Sequence, residues 1–90
     1  MTQNNQLFAV FNSAHKVMKA ENVLKQSNLA ILLIPAPRAL STDCGLAIRY
    51  DSEISERVFQ TLSDVSLLPD VIYNKVSDTQ YDAIWNADNI

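Results

Sequence analysis

The chain has 90 residues, with seven Lys and Arg against ten Asp and Glu, and a single cysteine, histidine and glycine. That length holds one hydrophobic core, and 48% hydrophobic residues are enough to build it. A net charge of -3 with scattered basic residues argues against a nucleic-acid partner, and one cysteine with one histidine makes neither an intrachain disulfide nor a four-ligand zinc site.

No metal or cofactor is therefore expected. Residues 1–6 are polar and uncharged, and no apolar run approaches the roughly 20 residues that span a bilayer, so the reading is a soluble, cytoplasmic protein with no membrane partner. A chain this short buries only about 60% of its unfolded surface and gains from a partner subunit.

Residues 7–11 (LFAVF) are apolar throughout and read as a first strand. Ser13 then serves as N-cap of a helix reaching about Ser27, with Ala14, Val17, Met18, Ala20 and Leu24 on the stripe that faces a sheet. Residues 29–34 (LAILLI) are continuously apolar and closed by Pro35, as in a strand buried on both faces. Two prolines in residues 35–38 (PAPR) remove amide donors, which makes residues 35–43 a connecting loop. Residues 45–50 resume an extended pattern. Asp51 or Ser52 can cap a second helix over residues 53–65, in which Ile54, Val58, Phe59 and Leu62 share one side, and residues 71–76 (VIYNKV) make a fourth strand.

The order βαββαβ predicts an α+β, ferredoxin-like domain over residues 1–76: a four-stranded antiparallel sheet with two helices on one face. Residues 77–90 form a tail in which Tyr81, Ile84 and Trp85, at i, i+3 and i+4, suit a helical turn. The sheet's second face carries apolar residues and needs a cover, either a second copy of the chain or this tail. A homodimer is the favoured expectation.

The candidate chemistry gathers in residues 35–50. Cys44 is the one nucleophile; strand parity groups it with Leu46, Ile48 and Tyr50, toward the core, and Asp43 lies beside it. Gly45 supplies either positive φ or a backbone donor for an anion. Arg38, after two prolines, suits bidentate capture of a carboxylate or phosphate. Ser13 and His15 lie at a helix start, where free amides favour anions. Glu21 falls within the apolar stripe, where its carboxylate either snorkels to the edge or pairs with a basic residue such as Arg38 or Arg49. In an ideal ferredoxin-like sheet the second connection is expected at the end opposite the first helix's start, which would separate His15 from Cys44.

The stretches SAHKVMKAENVLK (residues 13–25), LLIPAPR (residues 32–38) and STDCGLAIRY (residues 41–50) resemble the selenium/sulfur carrier protein-like family. The matching positions are His15, Met18, Ala20, Glu21, Pro35, Pro37, Arg38, Cys44 and Gly45, while Ala14 and Asn22 stand where a threonine and a lysine are expected. The resemblance implies a non-catalytic accessory protein holding a persulfide or perselenide on Cys44, with a sulfur or selenium donor or acceptor protein as partner. The alternative is a dimeric binding module for a small anionic ligand or partner protein, with Cys44 packed and inert. No paired carboxylates, phosphate-cradling glycine loop or nucleophile with an evident base favours an enzyme.

Overall fold

The computed structural model describes residues 5–40 and 44–87. Its elements are β1 (Gln6–Val10), α1 (Ala14–Gln26), β2 (Ile31–Pro35), β3 (Leu46–Asp51), a 3₁₀ turn (Ser52–Ile54), α2 (Ser55–Asp64), β4 (Val71–Lys75) and β5 (Tyr81–Asn86). The sheet is antiparallel throughout, in the order β2-β3-β1-β4-β5. The α+β reading holds, but the sheet has five strands where four were expected.

The fifth strand is the tail. Its Tyr81, Ile84 and Trp85 do not form a helical turn: β5 pairs with β4, and a bulge at the Ile72/Tyr73 step leaves Ile84 outside the register. The extra residue reverses side-chain parity, so Tyr81 packs on one face of the sheet and Trp85 on the other. Trp85 meets Phe59 of α2 edge to face, with ring centroids 5.1 Å apart, and Tyr81 meets Phe8 in the same geometry at 5.3 Å.

Helix α1 starts where the cap predicts. The Lys16 amide donates to Ser13 Oγ at 3.1 Å. It ends in a Schellman turn: Asn28 takes φ 62°, and the Leu29 amide reaches back to the Leu24 carbonyl at 3.1 Å. Ser66 (φ 58°) closes α2 in the same way, with Leu67 donating to Leu62. The buried face of α1 is Val17, Ala20 and Leu24. Met18, placed on that stripe by its spacing, is 55% exposed, because the sheet-facing arc is narrower than the apolar one.

Both helices pack on one face, over Leu7, Ala9 and Phe11 of the β1 segment, Ile48 and Tyr50 of β3 and Ile72 of β4. The second face holds a smaller cluster of Phe8, Val10 and Ala47, covered by Leu40, which arrives from the loop after β2. The Leu40 amide donates to the Pro37 carbonyl at 2.9 Å, bending the loop back over the sheet. Part of the cover is thus the chain's own loop. It stops short of Leu32, which is 47% exposed, so β2 is an edge strand and is not buried on both faces.

Candidate functional site

Strands β1 and β2 each pair antiparallel with β3 and so run parallel to each other, which brings their carboxyl ends to the same end of the sheet. Register makes this concrete: Val10 lies opposite Ala47, and Pro35 opposite Leu46. The connection carrying Cys44 therefore shares an end with the start of α1. The separation of His15 from Cys44 expected from an ideal sheet is overturned by strand direction.

Strand β3 begins at Leu46, after Gly45, and not at Gly45 itself. Cys44 is accordingly a loop residue. It keeps the face that parity assigns, packing partly against the helix-side core with Leu46, and it is half-buried. Its Sγ donates to the Phe11 carbonyl at 3.2 Å and to the Leu46 carbonyl at 3.3 Å. Phe11 lies three positions before the first residue of α1, so the thiol rests beside the amino end of that helix. Asp43 lies outside the described residues.

Gly45 has φ +73°, the left-handed region that its lack of Cβ permits, and its carbonyl accepts from the Ala36 amide at 2.9 Å. That bond closes the loop and aims Cys44 at β1. A Cβ on Gly45 would meet nothing within 4 Å. Gly45→Ala should thus cost only the left-handed strain, about 1–2 kcal/mol, while Gly45→Asn costs less because asparagine tolerates that region. Denaturant midpoints of the two variants check this, and equal losses would show that the conformation is not the cause.

The other predicted residues are only partly united with Cys44. Ser13 is committed to capping. The His15 side chain is exposed and makes no hydrogen bond or ion pair among the described residues, and Arg38 is an exposed loop residue with no ion pair among them. Glu21 does not reach Arg38 or Arg49: its Oε2 pairs with Lys25 Nζ at 3.0 Å, one helical turn on. Lys25 is mostly in solvent, so this pair answers the charge without forming a pocket.

Asp70 is a residue that the sequence pattern passes over. Its amide donates to the Val10 carbonyl at 2.9 Å, placing it at the same end of the sheet, and its Oδ2 is buried with no hydrogen-bond partner among the described residues. The only signal for it in the sequence is its position between Pro69 and β4.

This end of the sheet therefore offers a half-exposed thiol, a helix amino terminus, a glycine-closed loop and an orphaned carboxylate oxygen. The described residues contain no group of three or more His, Cys, Asp and Glu that could hold a metal ion, and no helix long and apolar enough to cross a membrane. No curated protein and no solved structure matches the chain. The model of the family described as Putative Se/S carrier protein-like matches residues 6–74, a span that runs from β1 through β4 and includes the whole cysteine loop; the chain belongs to that family.

Proposed function

We propose that the chain is a small accessory carrier that accepts a sulfane sulfur or selenium atom on Cys44 and hands it on without catalysing a reaction of its own. The observation that carries this reading is that Cys44 lies on a loop, half-exposed, outside the strand that would have sealed it. In the transfer, the Cys44 thiol first gives its proton to solvent. The thiolate attacks the terminal sulfur of a donor persulfide, the new Sγ–S bond forms as the donor's S–S bond breaks, and the donor departs as a thiolate. No net oxidation occurs. The product persulfide is an anion beside the amino end of α1, where the helix dipole favours negative charge. In this reading β5 is an addition to a ferredoxin-like βαββαβ frame, and the setting is the cytoplasm, where thiols stay reduced.

A second reading has its own support. The thiol's two hydrogen bonds end on carbonyls, a pattern that a thiolate cannot make, and this suits a packed, inert cysteine in a dimeric binding module. Exposed Leu32 on edge strand β2 is the surface such a dimer would cover.

One experiment decides between them. The folded chain is treated with iodoacetamide, and separately with a small-molecule persulfide donor, and its intact mass is measured. The carrier reading expects one alkylation per native chain and a gain of one sulfur atom that a reductant removes and that Cys44→Ser abolishes. A Cys44 that reacts only after denaturation overturns it.

A further inference from the structure

Over the helix-side face, between α2 and strands β1, β4 and β5, lies an open cleft of about 820 Å³ that Cys44 does not line. Leu7 and Ile72 form its floor, and Phe59 and Trp85, in edge-to-face contact, form one wall. The cleft exists because the fifth strand widens the sheet while the number of helices stays at two.

Tyr50 also borders this cleft. The residue is 3% exposed, and its hydroxyl makes no hydrogen bond among the described residues. Arg57, on the first turn of α2, lies on the rim and forms no ion pair among the described residues. The lining also carries the Glu56 carboxylate and the Gln60 amide; the apolar floor, the aromatic wall, the Tyr50 hydroxyl and the Arg57 guanidinium are the groups that would recognise a ligand here. The cleft's volume lies in the range of small-molecule sites, about 300–1,000 Å³.

We infer that this cleft binds a small amphipathic anion, an apolar or aromatic body carrying one carboxylate or sulfonate. The body lies on Leu7, Ile72 and Trp85, an acceptor oxygen takes the Tyr50 hydroxyl hydrogen, and the negative charge meets Arg57. The site is separate from Cys44 and does not depend on how that thiol behaves.

Trp85 is the chain's sole tryptophan, so its fluorescence reports on the cleft directly. The full chain is titrated with anilinonaphthalene sulfonate, then with decanoate and decylamine as competitors. The expected result is saturable quenching of Trp85 at one probe per chain, displaced by decanoate and not by decylamine. Tyr50→Phe and Arg57→Gln should each weaken binding by about tenfold, the size of a lost hydrogen bond to a charged group. Cys44→Ser should leave it unchanged. Absence of saturable binding, equal competition by decylamine, or binding that both cleft variants leave intact overturns the inference.

Discussion

Phe11→Ala should lower the stability of the domain by about 3–5 kcal/mol. Phe11 is fully buried in the helix-side core, together with Val17, Leu24 and Ile48. Removing its ring loses the transfer free energy of the aromatic carbons and leaves a cavity that the rigid sheet cannot close. A domain of this size has about 5–13 kcal/mol in total, so the variant would sit close to the threshold of folding. Urea unfolding followed by circular dichroism measures the loss. The effect also reaches the candidate site, because the Phe11 carbonyl accepts from Cys44 Sγ. The alanine keeps that carbonyl but loosens the segment that holds it. Cys44 alkylation should therefore be faster in Phe11→Ala under conditions where both proteins are still folded. A loss below about 1 kcal/mol would mean that the core repacks around the gap, contrary to the close packing described above.

Much of this architecture is legible in the residues, and the failures have specific causes. β1 and α1 follow from an unbroken apolar run and a serine cap, both local signals that the structure leaves intact. β5 is hidden because a bulge imitates a helix. Spacing of i, i+3 and i+4 between Tyr81, Ile84 and Trp85 belongs to one helical face, yet an inserted strand residue produces the same spacing with the two aromatics on opposite faces. In β2, continuous apolarity suggests burial on both sides, but burial depends on what the rest of the chain brings to each side. Here α1 covers one face and a short loop only part of the other.

The candidate site divides along the same line. Gly45 and Ser13 behave as their chemistry dictates, because positive φ and amide capping are local demands. Cys44 needs more than parity: its face is read correctly, while its exposure depends on β3 starting only at Leu46. Placing His15 on the same end of the sheet as Cys44 requires only counting strand directions. Asp70 could not be found from pattern at all. An orphaned oxygen is a property of the assembled interior, and no local motif announces it.

Tyr50 gives the second large effect, and it appears as a dependence of stability on alkaline pH. Burial holds its phenol above the usual tyrosine value of about 10, because the charged phenolate cannot be solvated there. In the unfolded chain the phenol ionises near its ordinary value. Above about pH 10 the folded state therefore binds more protons than the unfolded state, and stability falls as pH rises. The contribution is fully present below about pH 10 and is lost progressively above it, by at most about 1.4 kcal/mol for each further pH unit. Tyr50→Phe keeps the ring and removes the ionisation. Urea midpoints taken from about pH 8 to about pH 11 should fall steeply for the parent chain and more gently for the variant. The lysines and the other tyrosines contribute alike to both curves, so the difference between them belongs to Tyr50. Two parallel curves would show that the phenolate is solvated in the folded state.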